Sequence, residues 1–309
     1  MTTQFDATTQ ILGPGVIVFD SQTIFVAERI TEKLTREVFK VPHSMVGTFG
    51  NRLVAQVVDI DFTPVGEIKN AAKFFPYAPS QIGGSILVPN KPVIIWTKSG
   101  KKITYAAGFI SKLPTLRLGT NKPWLGPMQI TCVGSNNVDL VNAAAYNAVT
   151  ASAFSDTTFD DTLVKTGRYL GTYGSFFSNL GTEEGWEIEQ GIEIEKKKVD
   201  GFGWVNAVLK GMSAQAKFIP VGMSEADFYL LLQLQGASAI LPGEDLSKAA
   251  ADLVVTSDTA GVTVTVKKAG PMDGSQQYGL TDNRQGQVSL VSRIYWSAGS
   301  VQPMVVISI

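Results

Sequence analysis

Phe62-Thr63-Pro64-Val65-Gly66 returns as Phe218-Ile219-Pro220-Val221-Gly222, 156 positions further along. Proline has no N–H to give to a sheet ladder, so Pro64 and Pro220 each end a strand and turn the chain. A short helical stretch follows each copy. After the second, Ser224 can cap a helix with Glu225 and Asp227 in its first turn and Phe228, Leu231 and Leu232 as its apolar stripe. After the first, the stretch from Glu67 to Phe75 is stopped by Pro76. Further matches flank the motif. Leu12-Gly13 and Phe19 are echoed by Leu170-Gly171 and Phe177, and Thr48-Phe49-Gly50 by Gly201-Phe202-Gly203. Downstream, Ser99-Gly100 ahead of Lys101 to Thr104 parallels Ala260-Gly261 ahead of Val262 to Thr265. Gly126 to Ile130 parallels Gly286 to Leu290. The shared order, at an offset drifting only between about 153 and 161, marks an internal duplication. Residues 1–141 form one unit and 166–309 a second, joined by a linker at 142–165 whose Ala, Ser, Thr and Asp content suits a connector.

The 309 residues are 44% hydrophobic and 17% charged, enough to bury a core in each unit. Thirty glycines and many short Val/Ile/Thr runs between turn residues predict a mainly β chain. Ala27 to Lys40 is ambiguous, because Ile30, Leu34 and Val38 fit a helical period. Its counterpart in the other half reads as strand, so a strand is expected here too. Apolar runs such as Gly15 to Phe19 and Val301 to Ile309 fall far short of the roughly 20 residues a bilayer span needs. The N-terminus lacks a basic-then-apolar leader, so the expectation is a soluble chain that is not exported by the ordinary route.

Catalytic chemistry has few seats. The single histidine, His43, lies in Val41-Pro42-His43-Ser44, where Pro42 marks a turn or strand end. The single cysteine, Cys132, sits in the apolar run Met128 to Val133 and reads as a small buried side chain, which also excludes an intrachain disulfide. No glycine-rich loop leads into Lys-Ser or Lys-Thr, and Gly13-Pro14-Gly15 lacks the rest of a dinucleotide cradle. A carboxylate pair of the glycosidase kind stays open, because spatial separation and not sequence spacing defines it. No catalytic, cofactor or metal site is expected.

Two charge patterns carry mechanical content. On either side of residue 150 the net charges are +5 and −6, so tied halves of this kind would attract unlike neighbours and favour an alternating head-to-tail ring. Exposed ion pairs contribute only about 0–1 kcal/mol each, so apolar burial and strand pairing must supply the cohesion. In Trp186 to Glu195, period-two alternation puts Glu187, Glu189, Glu193 and Glu195 on one face and Ile188, Ile192 and Ile194 on the other. That acid ladder is either a solvated strand face or the lining of a channel. Carboxylates would let nucleic acid slide, whereas a basic lining would hold it through counterion release. Lys196-Lys197-Lys198 follows as a rim or loop.

The second half, through Gly181-Thr182-Glu183-Glu184-Gly185-Trp186-Glu187-Ile188-Glu189, Val199-Asp200-Gly201-Phe202-Gly203, Val205 to Gly211 and Lys217-Phe218-Ile219-Pro220 before a short helix, resembles the major tail (tail tube) proteins of long-tailed bacteriophages. The first half shares the resemblance through the duplication. The resemblance implies two tandem β-sandwich or half-barrel domains, each with a short flanking α-helix. It implies a structural virion protein, assembled in the host cytoplasm, whose strands join those of neighbouring copies. Rings of six domains stack into a hollow tube for DNA ejection, which for a two-domain chain means trimers with pseudo-sixfold symmetry. The implied partners are other copies of the chain, a tape-measure protein and passing DNA in the lumen, and tail terminator and baseplate proteins at the ends. Ring stacking would fall to the arm Met1 to Gln10, the loops Pro76 to Gly84 and Asp273 to Tyr278, or the C-terminal strand Met304 to Ile309. Alternatives are a terminator or baseplate ring protein of the same family, and a β-rich receptor- or carbohydrate-binding module. The module would want clustered aromatics, whereas Trp96, Trp124, Trp186, Trp204 and Trp296 are scattered. A glycan-cleaving enzyme ranks last.

Overall fold

The computed structural model describes residues 15–27, 29–43, 45, 47–66, 68–87, 92–96, 102–119, 124–134, 167–200, 203–234, 239–245, 250–257, 261–271, 286–292, 296–297 and 299–308. The linker assigned to 142–165, the arm Met1 to Gln10 and the loop Asp273 to Tyr278 lie outside them.

The chain is mainly β and its sheets are antiparallel. The first half runs β1 (Val16–Phe19), β2 (Gln22–Val26), β3 (Thr31–His43), β4 (Gly47–Phe62), β5 (Pro64–Val65), a 3-10 helix (Ile68–Phe74), a second short one (Pro79–Gln81), β6 (Val93–Trp96), β7 (Lys102–Tyr105), β8 (Ala107–Lys112), β9 (Leu116–Leu118) and β10 (Met128–Gly134). The second runs β11 (Tyr169–Tyr173), β12 (Phe177–Thr182), β13 (Trp186–Val199), β14 (Gly203–Phe218), β15 (Pro220–Val221), α1 (Glu225–Leu231), β16 (Ala251–Ser257), β17 (Thr263–Gly270), β18 (Val288–Ser292), β19 (Trp296–Ser297), β20 (Ser300–Val301) and β21 (Val305–Ser308). The ambiguous segment after Ala27 is thus largely strand, and the tertiary sheet overrides its helical spacing.

The pairing repeats from one half to the other. In the long hairpin β3–β4, Thr31 opposes Asp61 and His43 opposes Gly47. In β13–β14, Glu187 opposes Lys217 and Val199 opposes Gly203, each position shifted by 156. Even the irregularities coincide. Register slips after Glu37 and Val41 in one hairpin and after Glu193 and Lys197 in the other, the same two places. The hairpin turns end at Gly47 (φ 74°) and Gly203 (φ 73°), left-handed positions that favour glycine. Gly47, not Gly50, is therefore the partner of Gly203. Phe25 and Val26 pair with Val65 and Pro64 as Gly181 and Thr182 pair with Val221 and Pro220. The Phe-x-Pro-Val-Gly motif thus ends one long strand at Phe62 or Phe218 and adds a two-residue edge beside β2 or β12, with Gly66 and Gly222 leading away.

The first-half helix departs from expectation. Ile68, Ala71 and Phe74 are its buried residues, a spacing of three that a 3-10 turn places on one side, and Asn70 breaks the helical dihedrals. Glu67 lies outside the described residues. In the second half Ser224 caps an α-helix by accepting from the Asp227 N–H, and Phe228 and Leu231 are buried. The larger apolar core takes residues from both halves, including Ile17, Ile60, Phe74, Met128, Trp186, Phe218, Val255 and Leu290. Trp186 centres the second-half part, with its ring 4.5 Å from that of Phe218.

Candidate functional site

The two halves meet edge to edge. β9 adds to the outer edge of β13, with Leu118 opposite Trp186, Arg117 opposite Glu187 and Leu116 opposite Ile188. Gly185 permits the approach: its φ is 86°, and a Cβ there would sit 2.6 Å from the Leu118 carbonyl oxygen. A second seam forms on β14, where the Gly83 and Ile86 N–H groups donate to the Leu209 and Ala207 carbonyls and the Leu209 N–H donates to Gly84. That end of the Pro76 to Gly84 loop is therefore occupied within the chain. Under it lies a separate apolar cluster of Val57, Ile86, Phe109 and Val133 from the first half with Ala207 and Leu209 from the second. Lys198 closes the seam with an ion pair to Glu37 at 2.6 Å. The corresponding edge of the first hairpin differs, since β3 ends its four-stranded sheet (β3-β4-β10-β8) with no strand on its outer side among the described residues.

The four glutamates share a strand face but do not form a bare acid ladder. Arg117 lies 3.5 Å from Glu187, Lys217 2.8 Å from Glu189 and Lys210 3.3 Å from Glu195. Glu193 and Glu195 are exposed, Glu187 and Glu189 half-buried, and Glu193 opposes Gly211 with no ion pair among the described residues. On the opposite face Ile188 is buried, while Ile192 and Ile194 are partly buried against the inter-half cluster. Pairs this exposed contribute little individually, and their effect is to balance the charge of the face.

The equivalent face of the first half carries a polar network that sequence reading missed. The Thr131 hydroxyl, fully buried, donates to Asp59 at 2.6 Å, Gln129 Nε2 donates to Asp61 at 2.9 Å, and the Ser111 hydroxyl donates to Gln129 Oε1 at 2.8 Å. In the second half Gln215 donates to Ser289. Signs are exchanged between the hairpins: Lys33 faces Asp59 in one, Glu187 faces Lys217 in the other. Alternation in Asp59-Ile60-Asp61-Phe62 was the available signal.

The remaining candidates stand apart from these faces. His43 is the last residue of β3. Cys132 is buried, and desolvation first, then the charges of Glu32 and Asp59, pushes its thiol well above the ordinary value, so it is a poor nucleophile. Two open clefts, of about 470 and 390 Å³, lie along the inter-half seam, one beside Arg168, Glu183 and Glu184 and the other beside Ser111, Glu189 and Gln215. Among the described residues no group of His, Cys, Asp or Glu could hold a metal ion. No helix among them is long and apolar enough to cross a membrane. The strand Val305–Ser308 pairs with β17, so this part of the C-terminus is taken up inside the fold. Trp124 and Trp186 are buried, with indole N–H groups donating to the Gly66 and Tyr169 carbonyls. No protein-family model matches the sequence, and no curated protein matches it.

Proposed function

We propose that this chain is a structural, ring-forming protein whose copies stack into a hollow phage tail tube, with three two-domain chains per ring and pseudo-sixfold symmetry. The observation that carries the reading is the pair of hairpins with identical register and unequal edges. β13 is covered by β9 from the other half, whereas β3 has no such cover among the described residues. An uncovered edge strand of 13 residues is a template for another chain, and repeating one junction head to tail closes a ring. The tandem units correspond to 1–141 and 166–309. In this reading the face with Glu187, Glu189, Glu193 and Glu195 lines the lumen. Its carboxylates are offset by Arg117, Lys217 and Lys210, so the wall carries mixed charge and gives passing DNA no continuous cationic track. The tape-measure protein would occupy the same lumen, with terminator and baseplate proteins at the tube ends.

Negative-stain microscopy of the purified chain tests the proposal together with sedimentation over a wide concentration range. Rings of three chains, or hollow tubes, are expected. A chain that sediments as a monomer at every concentration refutes it.

A further inference from the structure

The first hairpin exposes apolar side chains at positions its twin covers. Leu53 is 50% exposed while Leu209, its counterpart 156 residues on, is fully buried in the inter-half cluster. Val38 is 46% exposed, and its counterpart Ile194 packs against that cluster. Leu34 lies on the same strand face and is also exposed. Two side chains of one type, at one register, in hairpins with the same bulges, differ because among the described residues only one hairpin has a neighbour to cover it. An apolar strip of this kind on a projecting hairpin marks an interaction surface.

The second half carries a matching projection. Within the chain, the stretch that covers Leu209 lies between the first-half helix and β6, at Gly83 to Ile86. The corresponding stretch of the second half, between α1 and β16, presents Leu241 at 63% exposure, with Leu234 at 59% just after the helix. Next to Leu234, Gln233 is buried in a left-handed conformation (φ 58°), and among the described residues neither polar atom of its side chain has a hydrogen-bond partner.

We infer that the Leu34, Val38 and Leu53 face of one copy docks against the Leu241 stretch of a second copy, repeating between chains the junction that Leu209 and Ile86 make within one. The occupant is another copy of this chain, because the surface continues by internal repetition an interface already formed. This specifies the contact within the ring reading and rests on it. The contact is heterologous, so Leu53 meets Leu241 and never another Leu53.

Mixing two single variants, Leu53→Cys and Leu241→Cys, with a short bis-maleimide tests this. Cys132 is buried in both and serves as the unreacted background. Covalent dimers should form in the mixture and not in either variant alone, and the double variant should give covalent trimers. Dimers from Leu53→Cys alone would overturn the head-to-tail contact. Rings visible by microscopy without cross-linking in the mixture would overturn this contact while leaving the ring reading standing. Monomeric sedimentation at every concentration would remove both. As an independent measure, Leu53→Asp should weaken self-association by at least about tenfold while lowering the urea midpoint of the dispersed chain far less than Leu209→Asp does. Unchanged association would refute the assignment.

Discussion

Leu53 and Leu209 form a matched experiment. Each is truncated to alanine, and urea unfolding is followed by tryptophan fluorescence at a concentration where the chain is dispersed. Leu209 has 0% of its surface exposed and lies in the cluster with Ile86, Phe109, Val57 and Val133. Removing its isobutyl group forfeits the transfer energy and leaves a hole that two packed strands and a bonded loop cannot collapse, a loss of about 2–5 kcal/mol. Leu53 keeps half its surface in water, so the same change costs about 1 kcal/mol or less. The order should reverse in assembly: Leu53→Ala weakens association while scarcely touching the single chain. Equal losses in the dispersed chain would mean that Leu53 is covered by its own chain and is not the open counterpart of Leu209.

Gly185→Ala should cost about 1–3 kcal/mol, because the residue needs a positive φ and its Cβ would press on the Leu118 carbonyl; an unchanged urea midpoint would contradict the seam geometry. Replacing Gln233 with Met should raise stability by about 1–2 kcal/mol in the dispersed chain, since it removes two buried polar atoms without partners, and calorimetry showing a loss would reveal a partner for the amide. Desolvation tends to raise the Asp252 carboxyl, yet the Lys267 ammonium at 2.7 Å and the Lys268 N–H hold it below its usual value. A depressed carboxyl stabilises above the unfolded pKa of about 3.9 and loses that contribution as pH falls through the folded value. Wild type should therefore exceed Asp252→Asn by at most about 1 kcal/mol at neutral pH, with the gap closing in acid; a gap that widens on acidification would contradict the pairing.

Much of the strand plan was legible because it is written locally. Pro64 and Pro220 end strands for a reason internal to proline, and the Glu/Ile alternation of β13 follows from the two-residue period of a strand. What escaped depends on distant partners. Arg117, Lys210 and Lys217 balance three of the glutamates, and β9, which brings in Arg117, is only three residues long and has no sequence signature of its own. The buried fate of Leu209 and the exposed one of Leu53 are invisible locally, since both sit in comparable strands. The first-half helix was legible in position but not in type, because a spacing of three at Ile68, Ala71 and Phe74 resembles an α stripe until the burial is known.

The tandem arrangement also bears on how quickly copies could find each other. In the proposed ring, one of the two kinds of junction is completed when the chain folds and needs no encounter, since covalent tethering gives the halves a local concentration in the millimolar range. Only the other kind depends on how much protein the cell has made. Because the hairpins share a register but not a surface, with Val38 and Leu53 exposed in one where Ile194 and Leu209 pack against the inter-half cluster in the other, mutation could retune the proposed concentration-dependent junction separately from the permanent one. A gene that encoded each unit separately would have to optimise a single contact for both duties.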